Sequence, residues 1–344
     1  MESAIKNKTI PITVLMSVYN SSTHLMEAID SILNQTFIDF EFLIINDGST
    51  DTTSNILESL KDHRIRIVKN STNKGLIYSL NKGLSLSKGK YIVRMDSDDI
   101  SHPNRLQKQW NFMEKNSYTD ICGSFSNVIG TREVRRPPTN YIKCWLELLV
   151  NNVISHPSVI IRRDSLIKNN LFYSNEYLHS EDYDLWVRCS MKKMRIENIA
   201  EVLLYYRIHE NQVSQKYLTI QLHAAKEIRK KYLAYCWPYQ SADDLELICN
   251  LVENKIISIK DFILFRDRII KKSILSYGSC NEINLEKFML KLYQKNICSA
   301  ISSNCVLTNK KEFFFIIIKK YFWFKLSLRK KIYFLNDNIH LIFK

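Results

Sequence analysis

Apolar and polar residues fall in alternating blocks along the first two thirds of the chain. Residues 12–18 form a short β-branched and apolar run ending in Tyr19-Asn20, and residues 42–45 form another ending in Asn46-Asp47-Gly48. Such runs predict buried strands whose C-terminal ends carry polar groups. Between them, residues 22–33 place Leu25, Ile29, Ile32 and Leu33 on one helical face, with Ser21 and Ser22 available as caps. The order repeats with a helix over 53–61, a strand over 64–69, a helix over 75–87 and a strand over 91–95. This alternation predicts an α/β fold, a mostly parallel sheet with helices on both faces. Ligands of such sheets sit at the carboxyl ends of the strands. Tyr19-Asn20, Asp47 and Asp96 all fall on that rim.

After Asp99 the pattern becomes mixed: a helix over 105–114, a strand over 121–128, a polar loop with Pro137-Pro138, a strand over 158–161, an acidic stretch over 180–184 and a strand over 202–208. Beyond about residue 215 the alternation stops, and the remainder is helix-like and rich in Lys, Ile, Leu and aromatics. The expected organisation is a domain over 1–215 followed by a mainly helical region over 216–344.

Charge sharpens that division. Residues 1–215 carry 26 Lys and Arg against 24 Asp and Glu, whereas 216–344 carry 23 against 11. A basic tail points to nucleic acid or an anionic membrane surface. No recognised nucleic-acid motif accompanies it. Residues 310–344 interleave basic residues with Phe313-Phe314-Phe315 and Tyr321-Phe322-Trp323-Phe324, a mixture suited to a lipid headgroup boundary. The lysines spread around a helical wheel, however, so a helical subdomain packed on the core or on another subunit is an equal reading. The eight cysteines are scattered, no secretory leader precedes them, and no apolar run approaches the roughly 18 to 20 residues of a spanning helix. Free thiols and a cytoplasmic location are expected, with or without membrane contact.

Three acidic clusters are candidates for chemistry. Asp96-Ser97-Asp98-Asp99 follows the strand over 91–95 directly, and like charges this close repel unless a cation sits among them. Oxygen ligands at a strand end suit Mg²⁺ or Mn²⁺ bridging a diphosphate; a solvated acidic turn is the alternative. Asp47-Gly48-Ser49-Thr50-Asp51 reads as a turn and N-cap, or as a carboxylate facing a base or ribose. Glu181-Asp182-Tyr183-Asp184 reads as acids favoured by a helix dipole, or as a general base for a hydroxyl. His102, His156 and His209 are equivocal singly.

Taken together, the order and spacing resemble one family. ITVLMSVYN over 12–20, Gln35-Thr36-Phe37, Asp39-Phe40-Glu41 and Asn46-Asp47-Gly48-Ser49-Thr50-Asp51 look like the nucleotide-binding half of family 2 glycosyltransferases of the GT-A fold. The likeness continues through Asn73-Lys74-Gly75-Leu76, Asn81-Lys82-Gly83, Asp96-Ser97-Asp98-Asp99, Pro103-Asn104-Arg105-Leu106, Cys122-Gly123-Ser124 and His156-Pro157-Ser158. Residues 180–186 and Tyr206-Arg207-Ile208-His209 complete it, so that it covers roughly residues 10–215.

The resemblance implies a GT-A, Rossmann-like sheet and a role for each matching position. Ser17, Tyr19 and Asn20 are candidates for the base, Asp47 for base or ribose, and Arg94 and Lys74 for phosphates. Asp96 would be shared between ribose and metal, Asp98 would ligate Mn²⁺ or Mg²⁺ directly, and His209 would be a third metal or pyrophosphate contact. Asp182 would be the base, with Glu181 orienting it or the acceptor, and His156 a further candidate on the acceptor side. The implied reaction is an inverting displacement from a nucleotide-diphosphate sugar, a UDP-sugar foremost, onto a glycan or lipid-linked acceptor in bacterial polysaccharide, O-antigen or capsule assembly. Such an acceptor implies peripheral contact with the inner-membrane surface. The Q-x-x-R-W signature of processive synthases is absent, which favours one sugar per encounter. A sugar-nucleotide nucleotidyltransferase would need a Gly-rich triphosphate loop that the sequence lacks. A protein that kept the fold as a nucleotide-sugar-binding scaffold and lost catalysis is the other reading.

Overall fold

A computed structural model describes residues 10–209 and 216–236, and within 241–250 residues 241–243, 246, 249 and 250. The aromatic and basic stretch over 310–344, like most of the region expected to be helical, lies outside the described residues.

The first half follows the hydrophobic pattern closely. It runs β1 (Ile12–Val18), α1 (Leu25–Leu33), β2 (Phe40–Asn46), α2 (Thr53–Ser59), β3 (Ile65–Lys69), α3 (Leu76–Leu86) and β4 (Tyr91–Met95). Every residue of β2 and β4 is buried, which is why both read as continuous apolar runs rather than alternating ones. In β1 the even positions Ile12, Val14, Met16 and Val18 join Leu25, Ala28, Ile29 and Ile32 of α1 in one core. Leu15 faces α3, where a Cβ on Gly83 would lie 2.2 Å from its Cδ1; the missing side chain lets the helix approach the sheet. Ser21 and Ser22 do not cap α1, whose N-cap is His24 without a side-chain bond. Ser21 instead receives the Ser97 hydroxyl at 2.9 Å and donates its N–H to Thr53 Oγ1 at 2.9 Å, stitching the rim loops.

The second half is β5 (Ile100–Ser101), α4 (Arg105–Lys115), β6 (Ile121–Val128), β7 (Val134–Arg135), α5 (Tyr141–Glu147), β8 (Ile160–Arg162), α6 (Arg163–Lys168), α7 (Glu181–Met191), β9 (Ile196–Tyr206) and α8 (Leu218–Cys236), with 3-10 turns at His156–Ser158 and Asn175–Tyr177. The two-residue strands β5 and β7 are too short to leave a periodicity. The strand expected over 202–208 begins earlier, at Ile196, because its first residues pair with Ile121 to Ser124 of β6.

One nine-stranded sheet results, in the order β3-β2-β1-β4-β8-β6-β9-β5, with β7 paired to β6. Strands β3, β2, β1 and β4 are parallel, and Ile12 of β1 stands level with both Phe40 and Tyr91. Their polar C-terminal tips therefore end along one line. Beyond β4 the sheet turns mixed: β8 is antiparallel to β4 and β6, whereas β9 is parallel to β6 with irregular register around Phe125. The described residues up to Tyr232 form one compact unit, and those from Leu233 belong to a second. Residues 218–232 of α8 belong to the first unit, and the Tyr232 hydroxyl meets Ser190 of α7 at 2.6 Å.

Candidate functional site

The rim is built from loops that hold one another. Asn20 takes a left-handed conformation at φ 48°, one that asparagine tolerates better than most residues. Its N–H donates to Ser49 Oγ at 3.1 Å, and its Oδ1 accepts the Thr50 N–H at 2.9 Å, joining the tips of β1 and β2. Asp47, only 2% exposed, turns inward from the tip of β2. Its Oδ1 accepts Asn70 Nδ2 at 2.7 Å and the Lys74 N–H at 3.0 Å, and its Oδ2 accepts the Gly75 N–H at 2.8 Å.

Strand β4 delivers the acidic cluster. Arg94, 5% exposed, forms an ion pair with Asp96, while its Nε and Nη1 find no acceptor among the described residues. Arg105, fully buried beneath, donates through Nη2 to the Arg94 carbonyl at 2.8 Å, through Nη1 to Ser101 Oγ at 3.0 Å and through Nε to Gln109 Oε1 at 3.1 Å. Burial lowers its pKa to about 9, against the pull of the Asp99 charge. Asp98 Oδ2 lies 2.9 Å from His209 Nε2, and its carbonyl accepts Arg207 Nε at 2.8 Å. Asp99 Oδ1 accepts the Arg207 N–H at 2.8 Å, but its buried Oδ2 has no partner among the described residues. Burial and the charges of Asp96 and Asp98 raise its pKa well above the usual carboxylate range. Asp96 is pushed the same way by burial, with Arg94 opposing.

Carboxylate oxygens of Asp96, Asp98 and Asp99 lie within 4.8 Å of one another. Crowded oxygen donors, one of them buried without a hydrogen-bond partner among the described residues, fit a hard divalent cation such as Mg²⁺ or Mn²⁺. His209, expected as a ligand, meets the cluster through Asp98.

Asp96, Asp98 and His209 open into a cavity of about 1000 Å³. Tyr19 and Asn20 line it from the tip of β1, Arg94, Asp96 and Asp98 from β4, and Glu181 and Asp182 from the first turn of α7. Acids in a first helical turn are favoured by the helix dipole, so the local sequence both starts α7 and arms the wall. Asp184, the third acid of the turn, points into the core and pairs with Arg188 at 2.7 Å. Asp182 Oδ2 accepts Asn152 Nδ2 at 2.7 Å and its Oδ1 accepts the Tyr183 N–H at 2.7 Å; burial raises its pKa nonetheless. Glu181 is pushed up to about 7 by burial and then by the neighbouring Asp182 charge. His156 also lines the cavity, with Nε2 2.7 Å from the Tyr173 hydroxyl. Burial, and then the Arg94 charge, take its pKa well below the ordinary value, so the ring is neutral at pH 7.

The cavity therefore unites Tyr19, Asn20, Arg94, Asp96, Asp98, His156, Glu181, Asp182 and His209. Ser17, Asp47 and Lys74 are not part of its wall: Ser17 is half-buried in β1, and Asp47 and the Lys74 backbone are bonded to each other. The sequence pattern gave no role to Asn152, Arg207, Ser126, Arg135 or Arg136, and named Asp99 only as part of the acidic run. Asp99 continued a visible acidic run, whereas Asn152 sits in a loop without local pattern and meets Asp182 across 30 positions.

An open Rossmann-like sheet with a bank of acidic side chains at its parallel strand tips defines a GT-A fold. Residues 13–201 match the glycosyl transferase family 2 model, and the chain belongs to that family. A Haemophilus influenzae protein described as an uncharacterized glycosyltransferase is 34% identical over 65% of this chain and 73% of its own length. The O-antigen biosynthesis glycosyltransferase WbnJ of Escherichia coli is 34% identical over 64% of this chain and 89% of its own. The UDP-Glc:alpha-D-GlcNAc-diphosphoundecaprenol beta-1,3-glucosyltransferase WfaP of Escherichia coli is 32% identical over 59% of this chain and 79% of its own. Among solved structures, S. aureus TarS 1–349 in complex with UDP-GlcNAc shares the fold at a TM-score of 0.57 and 19% identity, covering 85% of this chain and 81% of that one.

Proposed function

We propose that this family 2 glycosyltransferase moves one sugar, with inversion, from a UDP-sugar to a hydroxyl of a glycan or lipid-linked acceptor during bacterial surface-polysaccharide assembly. The observation that carries this reading is one cavity shared by the acidic cluster of β4 and the paired acids of α7. The names of WbnJ and WfaP support the O-antigen setting, the uridine donor and the lipid-linked acceptor. Such an acceptor would bring the chain to the cytoplasmic face of the inner membrane.

Tyr19 and Asn20 border the donor's nucleoside end, and Arg94 balances the charge of Asp96. A divalent cation held by Asp96, Asp98 and Asp99 would offset the charge of the departing nucleoside diphosphate. Asp182, oriented by Asn152, takes the proton of the acceptor hydroxyl as its oxygen attacks the anomeric carbon from the face opposite the leaving group. Glu181 stands beside that base in the first turn of α7 and orients it or the acceptor.

The test measures donor binding and release of nucleoside diphosphate from UDP-sugars, with Mn²⁺ and with chelator. Asp98→Ala and chelation should each weaken donor binding tenfold or more, whereas Asp182→Asn should bind donor normally and lose transfer. Unchanged binding in chelator removes the metal assignment, and turnover by Asp182→Asn removes the base.

A further inference from the structure

The cavity wall opposite the donor residues carries the reverse charge. In the sheet order, β1 and β4 with Tyr19, Asn20 and Asp96 lie on one side of β8, and β6, β7 and β9 lie on the other. From that second side Ser126, Arg135, Arg136 and Tyr206 line the same cavity. Ser126 and Arg135 face each other in the β6–β7 ladder. The Arg135 guanidinium lies 4.4 Å from the centre of the Tyr206 ring, which steadies it by a cation–π contact. Tyr206 ends β9, and three residues on His209 meets Asp98. The basic wall and the acidic cluster therefore flank one space.

Among the described residues, little consumes these donors. Among the described residues the carboxylate that Arg135 meets is the exposed Glu133, at 3.4 Å, and Arg136 Nη1 donates to its near neighbour, the Val134 carbonyl, at 3.2 Å. Ser126 is completely buried, and its hydroxyl has no partner among the described residues. A buried hydroxyl costs free energy unless something completes its hydrogen bonding. The Arg135 and Arg136 guanidiniums line the same cavity, and guanidiniums offer the forked donor set that matches phosphate or carboxylate oxygens.

We propose that Arg135, Arg136 and Ser126 form a subsite for an oxyanion on the acceptor, so that the preferred acceptor carries a phosphate or a carboxylate close to its reacting hydroxyl. The inference rests on the transferase reading above and adds the charge of the acceptor. On that reading the donor's own phosphates belong with Arg94 and the β4 cluster, on the far side of β8 from this wall. Two chemical sources supply the same oxyanion: the diphosphate of a lipid carrier and the carboxylate of an acidic sugar.

The experiment uses the full chain with Mn²⁺ and UDP, and three alkyl acceptors as probes: an N-acetylglucosaminyl diphosphate, a glucuronide and a neutral N-acetylglucosaminide. Binding is followed by calorimetry at two salt concentrations. At least one anionic probe should bind about tenfold or more tightly than the neutral one. Preference for the diphosphate assigns the subsite to a lipid carrier, and preference for the glucuronide to an acidic sugar. The R135Q/R136Q variant should bind all three alike and keep its affinity for UDP; R135K/R136K, which retains charge without the fork, should fall between. Equal affinity of the native chain for charged and neutral probes overturns the proposal, as does an anion preference surviving in R135Q/R136Q. A parallel loss of UDP affinity in that variant also overturns it, by returning the arginines to the donor. Failure of the transferase reading is separate: it shows as absent release of nucleoside diphosphate with every donor, whatever the probes do.

Discussion

Glu181 and Asp182 are neighbours in sequence with different surroundings. Asp182 is held by Asn152 and the Tyr183 N–H, while burial first and the Asp182 charge second push Glu181 up to about 7. A carboxyl raised in this way contributes stability in full below its ordinary pKa of 4.5 and loses it as pH rises through about 7. Glu181→Gln should therefore leave stability unchanged near pH 4.5 and raise it at pH 8, by roughly 3 kcal/mol at most. Urea unfolding at the two pH values decides; equal midpoints for the two proteins at pH 8 would show that Glu181 ionises freely. At this scale the acids themselves were legible, because charge density at a strand tip and a helix start is a local pattern. Their partners were not. Asn152 and Arg207 come to Asp182, Asp98 and Asp99 from 30, 109 and 108 positions away, and no local pattern encodes that.

At the scale of elements, the β2–α2 turn shows how one glycine secures a loop. Gly48 sits at φ +72°, and a Cβ there would lie 2.5 Å from the Thr72 carbonyl carbon. Gly48→Ala meets both backbone strain and a backbone clash, so it should destabilise by about 2 kcal/mol or more. Urea midpoints test this, and a change below about 0.5 kcal/mol would mean that the facing loop yields freely. Asp47 holds that same loop through the Lys74 and Gly75 N–H groups. Strands β1, β4 and β6 match the hydrophobic runs residue for residue, because fully or half-buried strands leave continuous or alternating patterns. Helix α5 and the short strands β5 and β7 did not stand out. The few residues of β5 and β7 are held by long-range pairing, such as Ile100 with Tyr205, rather than by period.

At the scale of the whole molecule, the uneven charge makes its own prediction. The chain has 49 Lys and Arg against 35 Asp and Glu, with the excess concentrated after residue 215. Among the described residues no helix is long and apolar enough to cross a membrane. If the basic tail meets an anionic surface, the protein should sediment with phosphatidylglycerol-containing vesicles at low salt and be released at about 0.5 M salt, where screening is strong. Removing residues 310–344 should weaken this binding severalfold; undiminished binding of the shortened chain would assign the tail to another contact.

By itself, the sequence determined the parallel half of the sheet and the acidic residues at its tips. Burial of whole strands and helix faces is written in local periodicity, and charge clusters are contiguous. Only the tertiary structure decided which of those residues share a space. Asp47 was drawn inward to hold a loop, while Asp96, Asp98 and Asp182 came to one cavity. The far wall of Ser126, Arg135 and Arg136 also emerged only there. Strand order and register, which bring distant segments side by side, are set by pairing across the sheet and leave no mark on neighbouring positions in the chain.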